Sequence, residues 1–248
     1  MTGVLSGFSH HVLTLLSLPV SLIFRATPRT YRFHVARLFA RLSWRVYRVV
    51  VYSNRRPPFL DGSREDVFRV MLRIMDRLGV VFDPVLTVRG AELVPPGAAV
   101  FLSGHFMLNS LWARWVVDSG HRLAIIATNT ETRLLGTPRK SDILSGPAVL
   151  VAARSRLLSG CKVHCAVDTG DERPEWQRIE TAEGTRWISD AMPRLAERLR
   201  VPVLFVCTRV DRNWNVVVTI EKASSVETEA VTHEFRSFFL GQLAQMQR

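Results

Sequence analysis

Lysine is nearly missing from this chain. Only Lys140, Lys162 and Lys222 occur, so almost all of the positive charge is arginine. Arginine forks suit phosphate groups, although a codon bias of the genome would produce the same excess. Cysteine is scarce too, with Cys161, Cys165 and Cys207 alone. An odd count without secreted-domain spacing argues against a disulfide framework. The CxxxC of Cys161 and Cys165 has no second ligand pair, which disfavours zinc. On a strand these two positions share a face, and buried core thiols are expected. Several motifs are also absent. Without GxSxG, a serine-hydrolase elbow is disfavoured. Without GxxxxGK[ST] or GxGxxG, so is a nucleotide site. No zinc finger, RRM-type aromatic signature or bZIP pattern supports nucleic acid as a partner.

What is present fits a globular protein. Of 248 residues, 47% are hydrophobic and 22% charged. That composition excludes wholesale disorder, and the length suffices for a large core. The net charge is +11, from 33 Lys+Arg against 22 Asp+Glu. Its distribution is lopsided. Residues 1–60 hold no Asp, Glu or Lys, but nine arginines: Arg25, Arg29, Arg32, Arg37, Arg41, Arg45, Arg48, Arg55 and Arg56. Such a segment seeks anionic partners and is set apart from the rest. The sequence therefore divides into an apolar, basic segment over 1–60 and an α/β domain over 61–248.

No long apolar run is clean. Residues 3–24 carry no formal charge, yet the strongest stretch, Val12–Phe24, is broken by Pro19. A spanning helix needs about 20 apolar residues. With no basic leader and no Ala-x-Ala site, a cleaved signal peptide is disfavoured. The segment reads as a weak span or an interfacial helix. As a helix, Tyr31–Tyr52 lines up Arg37, Arg41, Arg45 and Arg48, with Val35, Leu38, Phe39, Leu42, Val46 and Val49 opposite. That is the pattern of a basic helix on an anionic membrane. A core-packing helix with a solvated arginine face fits the same spacing. If the first segment spans, the arginines belong on the cytoplasmic side.

Beyond Pro57 and Pro58, strands and helices alternate. Ser63 caps a helix that Gly79 stops. Strands are predicted at Val85–Val88, Ala98–Leu102, Leu123–Ala127, Lys162–Val167, Pro202–Cys207 and Asn215–Ile220. Helices are predicted at Phe106–Val117, Thr185–Leu199 and Val226–Gln247. Residues 128–160 read as an excursion that shapes a substrate site. The alternation implies an α/β fold with a mostly parallel central sheet, flanked by helices and preceded by N-terminal membrane-associated helices.

One place concentrates chemistry. In AAVFLSGHFMLNSL, Ala98–Leu111, a buried strand ends at Ser103, Gly104 permits a sharp turn, and His105 opens a helix. Ligands of open α/β sheets bind in crevices at such strand ends. A histidine there can act as a general base, though a lone histidine is more often a cap or core residue. Arg133, Arg139 and Lys140 lie in a basic loop suited to phosphates, as is Arg154, and a solvated surface accounts for them equally. Asp168–Glu172 reads as a surface turn. His121, His164 and His233 read as structural.

The block LTVRGAELVPPGAAVFLSGHFMLNS, Leu86–Ser110, resembles the entry block of the late lipid A (lauroyl/myristoyl) acyltransferases, within the lysophospholipid acyltransferase superfamily. Weaker likeness runs over most of the chain. It includes the basic N-terminus, Asp168 after a strand, Gly184 before a helix, and LAERLRVPVLFV at Leu195–Val206. The resemblance implies an O-acyltransferase in which His105 takes the proton of a lipid or glycolipid hydroxyl. That hydroxyl attacks an acyl thioester on acyl carrier protein or coenzyme A. It also implies substrate contacts at Gly104, Phe106 and Met107, no metal or redox cofactor, and a place on the cytoplasmic face of the inner membrane. The family's carboxylate, five residues after the histidine, is here Ser110, beside Asn109. Either residue is a candidate partner for the imidazole, as is a distant acid such as Asp168 or Asp142. A silent homologue that binds lipid or scaffolds a partner is the alternative.

Overall fold

The structure is a computed structural model that describes residues 22–52, 63–105, 108–127, 143–181 and 184–246. The chain forms two compact units, residues 1–85 and 86–248. In the first of them, the helix that follows Ser63 packs on the basic helix before it.

In the first unit, α1 is Arg29–Tyr52 and α2 is Arg64–Arg77. Phe33, Ala36 and Ala40 of α1 are buried, as are Phe68, Leu72 and Met75 of α2. The two alanines permit close approach, and Phe33 meets Phe68 edge to face at 5.4 Å. Arg29 pairs with Asp83 at 2.6 Å, and Arg32 donates to the Val81 carbonyl. The packed stripe is distinct from the apolar face that the spacing gives to Val35, Leu38 and Leu42. Leu38 and Leu42 remain 53% and 58% exposed, with Tyr31 at 62%. Among the described residues no helix is long and apolar enough to cross a membrane. The apolar run over 3–24 lies mostly outside them.

The second unit is an α/β layer structure. Its strands are β1 Leu86–Arg89, β2 Ala99–Ser103, β3 Leu123–Ile126, β4 Ile143–Leu144, β5 Lys162–Ala166, β6 Asp168–Thr169, β7 Gln177–Thr181, β8 Gly184–Ile188, β9 Val203–Val210 and β10 Val216–Lys222. Its helices are α3 Asn109–Asp118, α4 Val149–Leu158, α5 Ala191–Leu199 and α6 Thr228–Met246. The main sheet runs β1-β10-β9-β2-β5-β3-β4. From β9 to β4 every neighbour is parallel, and β10 turns antiparallel to β9. The sheet is therefore mostly parallel and flanked by helices, as the alternating pattern implied.

Alternation along β2 sorts the core. Ala99 and Phe101 pack with Trp112 and Val116 of α3 on one face. Val100 and Leu102 pack with Ala153 of α4, Met192 of α5 and Phe235 of α6 on the other. Cys161 and Cys165 both face this second layer, and none of the three cysteines is in a disulfide. After β1 the chain turns at Gly90, where φ is +81° and a Cβ would stand 2.1 Å from the Ile220 carbonyl oxygen.

Two expectations need correcting. The helix predicted over Thr185–Leu199 is a strand, β8, followed by α5. β8 pairs with β7 and β6 in a second, three-stranded sheet. Pro193 sits in the first turn of α5, where the missing N–H has no helical partner to lose. Residues 128–160 are not wholly an excursion, because β4 and α4 lie within them and complete the sheet and its cover.

Candidate functional site

The site follows from register. β2 and β5 are parallel neighbours, with Ser103 opposite Ala166. The Val167 amide donates to the Ser103 carbonyl at 3.0 Å, extending the pairing to where both chains leave the sheet. His105 lies two residues beyond Ser103, and Asp168 two beyond Ala166. They are therefore level. From here β2 leads to α3 on one face, and β5 leads through the small sheet to α5 on the other. Diverging connections open a crevice at the carboxyl ends of such strands.

The pair in that crevice is close. His105 Nδ1 lies 2.9 Å from Asp168 Oδ1. The His105 backbone N–H donates to the same oxygen at 2.6 Å. Asp168 is buried, with its side chain 2% exposed, whereas the His105 side chain is 45% exposed. The Arg186 guanidinium stands 3.8 Å from the other carboxylate oxygen. A carboxylate fixed in this way holds the proton on Nδ1 and leaves the lone pair of the ring on Nε2. It also stabilises an imidazolium once formed.

A second, fully buried pair braces the turn. Ser103 Oγ and His164 Nε2 are 2.7 Å apart. Asn109 Nδ2 donates to Ser103 Oγ at 3.1 Å and to the Gly104 carbonyl at 2.7 Å. Trp112 sets its edge against the His164 ring, with centroids 4.8 Å apart. Burial, and then the charge of His105 nearby, push His164 down to about 3. It is a neutral hydrogen-bonding ring. Burial, and then the Asp168 charge, push the Cys165 thiol up to about 12.

The sequence candidates are distributed as follows. His105, Gly104 and Asp168 come together. Asn109 belongs to the site but not as a partner of the ring, since it ties down the turn. Ser110 makes no hydrogen bond to the ring, because α3 begins only at Asn109 and the imidazole hangs from the preceding turn. The acid is supplied by Asp168, one of the two distant acids offered by the sequence; the surface turn expected over Asp168–Glu172 is corrected at its first residue, which is a buried strand residue. Arg154 lies on the exposed side of α4 and bonds to neither His105 nor Asp168. Phe106, Met107, Arg133, Arg139, Lys140 and Asp142 lie outside the described residues. Sequence reasoning missed Arg186 and the buried Ser103–His164 pair. Their only signal is their position on strands that finish beside the site.

The fold and site define an α/β unit with a carboxylate-oriented imidazole at a parallel-sheet switch point. No family model and no curated protein matches the chain.

Proposed function

We propose that this protein is a membrane-associated O-acyltransferase. It moves a fatty acyl group from a thioester of acyl carrier protein or coenzyme A to a hydroxyl of a lipid or glycolipid. The observation that carries the reading is the contact between His105 Nδ1 and the buried Asp168 carboxylate. The likeness of Leu86–Ser110 to the late lipid A acyltransferases supports it. The missing acid at position 110 is the ground for a silent homologue, and the contact of His105 with Asp168 supports the active reading over it.

Nε2 of His105 takes the proton of the acceptor hydroxyl as its oxygen attacks the thioester carbonyl. A carbon–oxygen bond forms, and the tetrahedral adduct collapses with loss of the carbon–sulfur bond. The imidazolium returns the proton to the departing thiolate. Asp168 orients the ring throughout and stabilises its charged form. No residue of the chain is acylated in this scheme. The first 60 residues, whose formal charges are all arginine, favour docking on the cytoplasmic leaflet of the inner membrane, where anionic lipid attracts them. Release of free thiol from acyl carrier protein and acyl-CoA donors, with phospholipid and glycolipid acceptors, tests the reading. His105→Ala should abolish the acceptor-dependent release with its thermal midpoint almost unchanged. Full turnover in that variant contradicts the base assignment.

A further inference from the structure

Helix α4 is apolar nearly all the way round. Among Val149–Leu158 only Arg154, Ser155 and Arg156 are polar. Yet the helix buries only Ala153 and Leu157. Val151 is 72% exposed, Leu158 61% and Leu150 44%. At about 100° per residue, Leu150, Val151, Arg154, Ser155 and Leu158 fall on one outward stripe. An ordinary surface helix turns its large apolar residues inward, so the arrangement here is reversed. The charge of its own stretch of sequence has one sign. No Asp or Glu occurs from Ile143 to Val167. Arg122 joins the C-terminal end of the helix by donating to the Ser159 carbonyl at 3.2 Å.

We propose that the outward stripe of α4 is a lipid-contact surface that seats the α/β unit in the headgroup layer of an anionic bilayer. This rests on the lipid-acceptor reading and adds a contact separate from the basic N-terminus. The β4 strand runs parallel to β3, so α4 starts at the same end of the sheet as His105 and Asp168. A lipid hydroxyl must reach a half-exposed imidazole while its chains stay in the bilayer. A greasy helix starting at that end holds the opening at headgroup depth. From Leu150 to Leu158 the stripe spans roughly 12 Å, which suits a shallow seat and not a crossing. Arg154 can lay its stem along this surface and offer its guanidinium to lipid phosphates. Three protruding aliphatic side chains in a carboxylate-free stretch match lipid better than an acidic protein face.

The full-length chain bearing an environment-sensitive thiol label at Val151→Cys tests this on phosphatidylglycerol–phosphatidylcholine vesicles. A control label goes at Asp118→Cys, on α3 across the sheet. The native thiols interfere little, since Cys161 and Cys207 are buried and Cys165 holds its proton at neutral pH. The label at position 151 should shift to the blue and be quenched by headgroup-depth lipid nitroxides, while the label at 118 stays open to iodide. The triple variant L150S/V151S/L158S should lower vesicle affinity by roughly 10-fold or more. An iodide-accessible label at position 151 on vesicle-bound protein overturns the proposal. So does shielding that grows with protein concentration without vesicles, which marks a second copy as the occupant. Acyl transfer is scored separately in detergent. Label burial without turnover upholds the surface and defeats the enzyme reading, and turnover with an exposed label does the opposite.

Discussion

His164 makes acid stability a direct readout of the packing behind the site. It hydrogen-bonds to Ser103, is 5% exposed, and titrates near 3 where a free histidine titrates near 6.5. The folded form binds this proton more weakly than the unfolded form. The stabilisation is therefore complete above pH 6.5, declines as pH falls below it, and is exhausted below about 3. Each tenfold difference in proton affinity is worth about 1.4 kcal/mol. The residue should thus cost the fold about 2 kcal/mol at pH 5 and about 3 kcal/mol at pH 4, relative to neutral pH. In a domain of ordinary stability, about 5–15 kcal/mol, that is a large share. His164→Phe keeps a ring against Trp112 but has nothing to protonate. At pH 7 it should be less stable by about 1–2 kcal/mol, because Ser103 loses a buried partner. At pH 4 that deficit should vanish or reverse. Urea unfolding of both proteins, followed by tryptophan fluorescence at pH 7, 5 and 4, gives the comparison. Equal losses on acidification would refute the reasoning, since other acid-sensitive groups are common to both chains.

Two further outcomes follow from the turn and the sheet. Asn109→Ala removes two hydrogen bonds that hold Ser103 and Gly104, and it should cost about 1–2 kcal/mol by chemical unfolding. If acyl transfer is detected, the same variant should lower kcat about 10-fold with KM little changed, because the ring loses its fixed support. Gly90→Ala places a methyl group against the Ile220 carbonyl and fixes a residue at positive φ, so it should destabilise by more than about 2 kcal/mol in a melting experiment.

The fold was legible where local pattern and tertiary need agreed. The apolar runs around Phe101, Val163, Leu204 and Val218 are buried strands on any reading, and Gly90 and Gly120 end elements where turns require positive φ. Periodicity failed at Thr185–Ile188. A short strand there borrows its stability from pairing with β7, and nothing local distinguishes it from the helix that follows. On α1 the spacing showed the apolar face but not the stripe of Phe33, Ala36 and Ala40 that is buried. His105 was legible because a glycine-allowed turn after a buried strand is a local signal. Its partner Asp168 was legible only as one candidate beside Ser110, Asn109 and Asp142. His105 and Asp168 meet through the β2–β5 register, and no spacing within one segment encodes that pairing. Ser110 and Asn109 were the candidates close in sequence, whereas the structure takes the more distant candidate, Asp168, from the adjacent strand.

The account rests on Asp168 making His105 a working base. The most direct measurement is the rate of lipid-dependent thiol release from a long-chain acyl thioester by Asp168→Asn beside the parent chain. Asparagine keeps the volume and one oxygen but removes the charge that stabilises the imidazolium. The account predicts a fall in kcat of about 10²- to 10⁴-fold, with KM within a few-fold of the parent. A folded Asp168→Asn protein that turns over at the parental rate would contradict it.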